Sequence, residues 1–151
     1  MPPVEVIGID HFFVAVRDLN TSEEFYDRVM SVLGFRKRET SINGDLHVVY
    51  YNRQFAYTLR PARGDTPDHD PYASGLHHLC FRVVDEAAVD RAEDQPRAAG
   101  LEVAEPLYYP EYGSDYYAIF FEDPDGLRLE VMNFREKRRK IMYDWEARAN
   151  L

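Results

Sequence analysis

The sequence has little cysteine, no long apolar run and no excess of positive charge, and each deficit excludes a class of protein. The single cysteine, Cys80, cannot form an internal disulfide, so we expect a reducing, cytoplasmic environment. No apolar run approaches the roughly 18 residues that a membrane span needs, and the first residues do not read as a signal peptide, so we expect no membrane partner. With 27 acidic and 18 basic residues, the net charge of -9 argues against a nucleic-acid partner.

What the sequence does have is an internal repeat. Two strand-like segments, rich in β-branched and aromatic residues, carry a histidine at the same position, and these histidines, His11 and His78, are 67 residues apart. A helix-like segment follows each strand and ends at a glycine, and these glycines, Gly34 and Gly100, are 66 residues apart. Since two separate landmarks give nearly the same spacing, we infer that the chain is a duplicated module.

Each copy is predicted to be a strand, a helix and three further strands, which makes the chain an α+β protein of two βαβββ modules. The predicted strands are 9–16, 35–41, 46–51 and 55–60 in the first module, and 76–83, 101–107, 116–121 and 127–132 in the second. A capping box at 21–24 is predicted to open the first helix, and Asn43-Gly44 predicts a β-hairpin. The second helix is predicted over about 87–98.

The chain is predicted to form one domain, 1–151, with four parts. The parts are module one at 5–60, a linker at 61–74, module two at 75–133 and a C-terminal helix at 134–151. The linker is rich in Pro, Asp and Gly and nearly free of apolar residues. The last segment contains Ile141, Met142, Tyr143 and Trp145, so we expect it to pack on module two.

Three residues are candidates for a metal site. A histidine inside an apolar strand needs a partner, because an unpaired buried imidazole costs on the order of a few kcal/mol. For His11 alone, a hydrogen-bonded core histidine is an equal alternative, but the repetition of this position as His78 favours two imidazoles converging on one metal. Glu130 alternates with apolar neighbours on a predicted strand and is the candidate third ligand, with a solvent-facing carboxylate as the alternative.

Strand alternation predicts which neighbours share a surface with these ligands, since residues two apart lie on one face. The neighbours selected in this way are Phe13, Cys80 and Arg128, whereas His77 is predicted to face away. Arg128 could anchor an anionic substrate, or it could form an outward salt bridge. Tyr117 is a further candidate as part of an aromatic lining.

Together these motifs resemble the vicinal oxygen chelate superfamily, which includes glyoxalase I, the fosfomycin resistance thiol transferases, methylmalonyl-CoA epimerase, type I extradiol dioxygenases and the bleomycin resistance proteins. The segments that carry the resemblance are 9–16, 75–81 and 123–130. The resemblance implies two modules that form a cupped mixed sheet around a divalent metal, which could be Mn, Fe, Ni, Co or Zn. It also implies His11, His78 and Glu130 as the metal ligands.

The characteristic residues of each branch of the superfamily can be compared with those of this chain. Members with four protein ligands place the fourth one where this chain has Thr58, a poor ligand, so an open three-ligand site is expected. The dioxygenases carry a His and a Tyr before the Asp-Pro turn; here that segment has no His, and Phe120 stands in the Tyr position. The fosfomycin enzymes use Ser and Tyr where this chain has Ala118 and Phe120. Bleomycin-binding members usually lack the ligands that are present here.

The sequence therefore predicts a metal-dependent enzyme of the glyoxalase-like type that chelates a small-molecule substrate through adjacent oxygens. The expected chemistry is that of a lyase, an isomerase or a thiol transferase, and no general base is identified. A non-catalytic ligand-binding or drug-resistance protein on the same fold is the alternative, and an extradiol-type dioxygenase is the third possibility. The resemblance further implies a homodimer, with the metal site either within one chain or shared between two.

Overall fold

The fold is taken from a computed structural model, which describes residues 1–2, 4–98 and 100–147. The described chain forms two compact units that divide between His69 and Asp70, inside the predicted linker. The elements of the first unit are β1 His11–Val16, α1 Leu19–Val32, β2 Arg36–Ile42, β3 Asp45–Tyr51 and β4 Ala56–Pro61. Those of the second unit are β5 Leu79–Val83, α2 Glu86–Ala98, β6 Leu107–Tyr108, β7 Tyr117–Glu122, β8 Arg128–Asn133 and α3 Glu136–Tyr143, followed by a 3-10 turn at Trp145–Ala147.

The two units have the same sheet topology. The strand order is β1-β4-β3-β2 in the first unit and β5-β8-β7-β6 in the second. In each, the strand before the helix pairs in parallel with the last strand of the unit, and the remaining pairs are antiparallel. The predicted α+β fold of paired βαβββ modules is therefore confirmed.

The core of the first unit lies between α1 and one face of its sheet. Tyr26 and Met30 of the helix are fully buried against Tyr57 and Leu59 of β4. The hydroxyls of Tyr26 and Tyr57 are 2.9 Å apart, so each buried phenol has a hydrogen-bonding partner. Because alternate residues of a strand face opposite sides, the neighbours of Tyr57 along β4 point away from the helix.

Between its helix and sheet, the second unit buries aliphatic side chains at the place where the first unit buries the phenols of Tyr26 and Tyr57. Helix α2 contacts β7 and β8, and Val89 of the helix and Ile119, Leu129 and Val131 of these strands are each at most 1% exposed. Full burial of such side chains contributes roughly 1.5–3 kcal/mol each. The helix in each unit thus covers one face of the sheet, and the opposite face carries the candidate ligands.

Turn and cap residues confirm most of the predicted boundaries. Asn43 and Gly44 both have positive φ, as the predicted hairpin between β2 and β3 requires. The two glycines that end the helices, Gly34 and Gly100, have the same φ of 80°. Helix α1 begins earlier than predicted, because Asp18 is its N-cap and accepts a hydrogen bond from the Thr21 backbone N–H, so the capping box at 21–24 is wrong.

Two further boundaries differ from the prediction. The strand predicted over 101–107 is reduced to β6, since this segment contains Pro106, which has no N–H to donate, and two glutamates. The C-terminal helix is present as α3, but none of its residues is buried. Arg139 attaches it instead, by donating to the carbonyls of Phe134 and Val84. The predicted residues 148–151 lie outside the described chain. Within the described residues, no helix is long and apolar enough to span a membrane.

Candidate metal centre

Glu130 is a buried carboxylate in the middle of the second sheet. It lies on β8, with Cys80 of β5 on one side and Phe120 of β7 on the other, and it is 1% exposed. Since a buried carboxylate loses its hydration, it persists in charged form only with strong partners. Its neighbours in sequence, Leu129 and Val131, face the helix, so Glu130 points to the other side of the sheet.

Both oxygens of Glu130 have a partner. The Tyr116 hydroxyl donates to Oε1 over 2.5 Å, and Nε2 of His78 lies 3.1 Å from Oε2. The Cys80 thiol is also close, and burial, followed by the charge of Glu130, raises its pKa. Burial and the hydrogen bond to Glu130 likewise raise the pKa of Tyr116, so its hydroxyl stays protonated and acts as a donor.

The His78 ring is held from its other nitrogen. Its Nδ1 lies 2.7 Å from Nδ1 of His77, so one of these two atoms donates to the other. When His78 is the donor, its Nε2 carries a lone pair toward Glu130, which is the tautomer of a metal ligand. In the opposite arrangement, His78 Nε2 donates its hydrogen to Glu130. His77 is itself packed against Tyr72 and exposed, in keeping with its predicted outward direction.

The spacing of His78 and Glu130 fits a divalent metal. Two ligand atoms that are each about 2.1 Å from one ion and 3.1 Å from each other subtend about 95° at that ion, close to the about 90° of an octahedral site. In the metal-ligand tautomer, moreover, two lone pairs face each other across this gap, and a cation between them removes the repulsion. The donor set of one imidazole and one carboxylate suits Mn, Fe, Co, Ni or Zn.

His11 of the first unit repeats the arrangement of His78. It is the first residue of β1, and its Nδ1 lies 2.7 Å from the carboxylate of Asp10, the residue before it. The Asp10 carboxylate therefore accepts the Nδ1 hydrogen and leaves Nε2 free to bind a ligand. In both units, the residue preceding the histidine engages Nδ1. Phe13 packs edge-on against His11, with ring centroids 5.3 Å apart.

Within the described chain, no three His, Cys, Asp or Glu side chains form a cluster that could hold a metal. His78 and Glu130 are brought together, and both belong to the second unit. His11 belongs to the first unit, so its joining the same metal stays a prediction.

Thr58 occupies in the first unit the position that Glu130 occupies in the second. Thr58 pairs with Phe13, two residues after His11, and Glu130 pairs with Cys80, two residues after His78. The sequence match between Thr58 and Glu130 therefore agrees with the strand register. Thr58 is 3% exposed and lies on the sheet face that also carries Phe13.

The remaining predicted pocket residues lie in the second sheet. Arg128 is two residues before Glu130 on β8 and pairs with Glu122, so it shares the face of Glu130 at the end of the strand. Tyr117 lies on the other face, because its hydroxyl donates to Asp90 of α2 over 2.7 Å. This hydrogen bond raises the pKa of Tyr117 to about 12. Tyr117 thus does not lie beside Glu130.

Tyr116, which is not among the pocket residues predicted from the sequence, is the tyrosine that contacts Glu130. The signal for it was present in the alternation of β7, because counting back from Phe120, the partner of Glu130, reaches Ala118 and then Tyr116. Tyr116 precedes the first residue of β7 but lies within the strand predicted over 116–121, so the alternation of that predicted strand could have identified it.

The sequence matches a family profile described as "Glyoxalase/Bleomycin resistance protein/Dioxygenase superfamily" over residues 8–131. The chain is 30% identical over 133 residues to the uncharacterized protein YaeR of Escherichia coli K12, with 82% of this chain and 93% of YaeR covered. It is 26% identical over 127 residues to the metallothiol transferase FosB of Bacillus licheniformis, with 84% of this chain and 75% of FosB covered.

Solved structures share the fold. A glyoxylase/bleomycin resistance protein/dioxygenase domain from Frankia sp. EAN1pec superposes with a TM-score of 0.72 at 23% identity, covering 87% of this chain and all of the Frankia domain. A glutamate-to-glutamine mutant of the fosfomycin resistance protein FosX from Listeria monocytogenes gives a TM-score of 0.66 at 16% identity, with 89% of this chain and 98% of FosX covered. That structure contains Mn(II) and 1S,2S-dihydroxypropylphosphonic acid.

Proposed function

The chain belongs to the Glyoxalase/Bleomycin resistance protein/Dioxygenase superfamily, and from this premise we propose that it is a divalent-metal-dependent enzyme acting on a small molecule with adjacent oxygens. The proposed ligands are His11, His78 and Glu130. The reaction belongs to the lyase, isomerase or thiol-transfer classes, in which a proton or a nucleophile moves next to a chelated oxygen.

One observation carries this proposal: a fully buried carboxylate, Glu130, faces His78 Nε2 at the spacing of two ligands on one ion. Removing a carboxylate from water costs several kcal/mol, and a cation bound beside Glu130 would offset this cost. The relatives add support. FosB is named a metallothiol transferase, and the FosX structure contains both Mn(II) and a phosphonic acid with two adjacent hydroxyls.

Each residue of the centre has a distinct role in this proposal. His78 and His11 supply neutral imidazoles whose Nδ1 atoms are fixed by His77 and Asp10. Glu130 supplies the negative charge. A bound divalent ion would stabilise the charge that develops on a substrate oxygen. The first unit has no carboxylate at the position of Thr58, so ligand positions stay open for two substrate oxygens.

The proposal is tested by the metal content and metal affinity of the purified protein. We expect close to one tightly bound Mn, Fe, Co, Ni or Zn ion per chain, and we expect His78→Ala to lower the affinity more than 100-fold, beyond the roughly 10- to 100-fold loss typical of a lost outer-shell partner. His69→Ala, which removes a histidine of the linker, is the matched control. A protein that binds no divalent metal would overturn the proposal.

Activity then separates the enzyme from a binding protein on the same fold. The panel consists of α-hydroxycarbonyl compounds, hemithioacetals, epoxides with a thiol donor, and catechols, each with the five metals. Turnover that is lost in Glu130→Gln supports the enzyme. Tight ligand binding that is independent of metal, without turnover, supports a sequestering protein, and ring cleavage of a catechol supports a dioxygenase.

We further propose that the protein is a homodimer, as implied by its superfamily. Light scattering measures the mass, and a mass of one chain contradicts the dimer. Mixing His11→Ala with Glu130→Ala protein locates the site. Recovery of metal binding in the mixture means that two chains share a site, whereas no recovery means that the ligands come from one chain.

A further inference from the structure

Tyr116 stands apart from the ligands that the superfamily implies, yet it is bonded to one of them. Its hydroxyl donates to Glu130 Oε1 over 2.5 Å, while Glu130 Oε2 faces His78. We propose that Tyr116 is a positioning residue that occupies one oxygen of Glu130, so that the carboxylate binds the metal through the other oxygen alone. This inference rests on the proposed function, since it concerns the same metal centre.

The reason lies in the geometry of a carboxylate. A free glutamate can bind a divalent ion through one oxygen or through both, and two-oxygen binding uses a position that a substrate oxygen would need. A phenol hydrogen bond to a carboxylate is charge-assisted and short, and it is stronger inside a protein than in water. With Oε1 held by Tyr116, one-oxygen binding becomes the preferred state and an additional metal position stays open.

Arg135 holds the ring of Tyr116 in place from one side. Its guanidinium carbon lies 5.0 Å from the centre of the Tyr116 ring, a cation–π distance, and its Nη1 donates to the Tyr112 carbonyl over 3.3 Å. Tyr112 and Tyr109 also contact the ring, with centroid distances of 5.2 and 6.4 Å. A positive charge over the ring makes the phenol a better hydrogen-bond donor.

Gly113 provides the space for Arg135. A Cβ added at this position would lie 2.5 Å from Arg135 Nη1, closer than real Cβ atoms come to another atom. The nearest atom is the end of a flexible side chain, so an alanine here displaces the guanidinium without displacing the backbone. A series of three contacts therefore ends at Glu130. Gly113 leaves space for Arg135, the guanidinium of Arg135 lies over the ring of Tyr116, and the Tyr116 hydroxyl donates to Glu130.

The decisive variant is Tyr116→Phe, which keeps the ring under Arg135 and removes only the hydroxyl. We expect its affinity for Mn(II), measured by competition with a chelating dye, to fall about 10- to 100-fold, the range for a lost outer-shell partner of a ligand. We also expect the visible absorption bands of the Co(II)-loaded protein to shift and change intensity, because the coordination of Glu130 changes. A purely structural role for Tyr116 would leave these bands unchanged.

Two further variants make the test specific. Tyr112→Phe removes a hydroxyl from the same aromatic cluster without touching Glu130, and we expect wild-type affinity and absorption. Gly113→Ala is expected to lower Mn(II) affinity several-fold, less than Tyr116→Phe, with little change in the thermal unfolding temperature.

The outcomes separate this inference from the proposed function. Wild-type protein that binds Mn(II), together with a Tyr116→Phe variant of equal affinity and an unchanged Co(II) spectrum, overturns the role of Tyr116 and leaves the metal centre standing. Wild-type protein that binds neither Mn(II) nor Co(II) overturns both. A Tyr116→Phe variant that does not fold is replaced by Gly113→Ala, where unchanged affinity and spectrum contradict the inference.

Discussion

The two units share a topology and a way of presenting histidine, but they differ at one equivalent position. Thr58 of the first unit and Glu130 of the second pair with the residue two places after the unit's histidine. Both are almost fully buried, yet one is neutral and the other carries the charge of the proposed centre. In the proposed centre, one module would therefore provide an imidazole alone, while the other would provide an imidazole and the carboxylate.

The largest expected effect is the loss of metal affinity when the charge of Glu130 is removed. Glu130→Gln keeps the volume of the side chain but removes the negative charge, and we expect metal affinity, measured by competition titration, to fall more than about 100-fold. Thr58→Ala removes the equivalent polar group of the first unit and should change the affinity less than about threefold. Equal losses in the two variants would show that the modules contribute alike.

The second effect concerns the residue before each histidine. His77 and Asp10 are different residue types, but both engage the Nδ1 atom of the following ring. We expect His77→Ala and Asp10→Ala each to lower Mn(II) affinity about 10- to 100-fold.

A substitution that copies one module into the other sharpens this test. His77→Asp gives His78 the partner that His11 has, and a carboxylate accepts the Nδ1 hydrogen, so we expect near wild-type affinity. An affinity as low as that of His77→Ala would show that the two histidines are held by different means.

The repeat in the sequence explains why the fold and the histidines could be predicted. His11 and His78, the glycines that end both helices and the topology of both sheets follow from periodic patterns that the two copies share. The match of Thr58 with Glu130 also came from aligning the copies. Patterns of this kind indicate which face of a strand is apolar, and the second copy gives independent support for the assignment made in the first.

The contacts outside the regular strands could not be predicted in this way. Tyr116, just before β7, shares the face of Glu130 by strand alternation, but the alternation does not show that its hydroxyl donates to the carboxylate. Thr21 begins a plausible capping box, but the helix already starts at Leu19 and Asp18 is its N-cap. Packing of α3 was expected from its apolar residues, whereas Arg139 attaches it. Such choices depend on tertiary neighbours that a local pattern does not contain.

A third prediction uses the difference between the two cores. The first unit buries the hydroxyls of Tyr26 and Tyr57 as a hydrogen-bonded pair, and the second has Leu129 at the position of Tyr57. We expect Tyr57→Phe to lower the free energy of unfolding by about 1 kcal/mol, because a buried partner loses a hydrogen bond. Denaturant titration measures this change. Tyr72→Phe, at an exposed position, is the control, and an equal effect there would contradict the argument.

The smallest effect concerns the helix caps, which repeat as the histidines do. Asp18 and Asp85 are 67 residues apart, and the carboxylate of each accepts a backbone hydrogen bond in the first turn of its helix. The backbone hydrogen bond from Thr21 lowers the pKa of Asp18 from 3.8. A carboxyl group whose pKa is lower in the folded state stabilises the fold above its unfolded pKa, and this stabilisation is lost as the pH falls through the folded pKa.

The variant Asp18→Asn isolates the charge of this cap, because asparagine keeps an oxygen that can accept the same hydrogen bond. At pH 7 we expect the unfolding temperature of the wild type to exceed that of the variant by about 1–3 °C, since a negative charge at a helix N-terminus is favourable. Because the folded pKa lies below 3.8, the difference should persist down to about pH 4 and disappear below it. No difference at pH 7, or a difference that stays constant to about pH 2.5, would contradict a role for the charge of this cap.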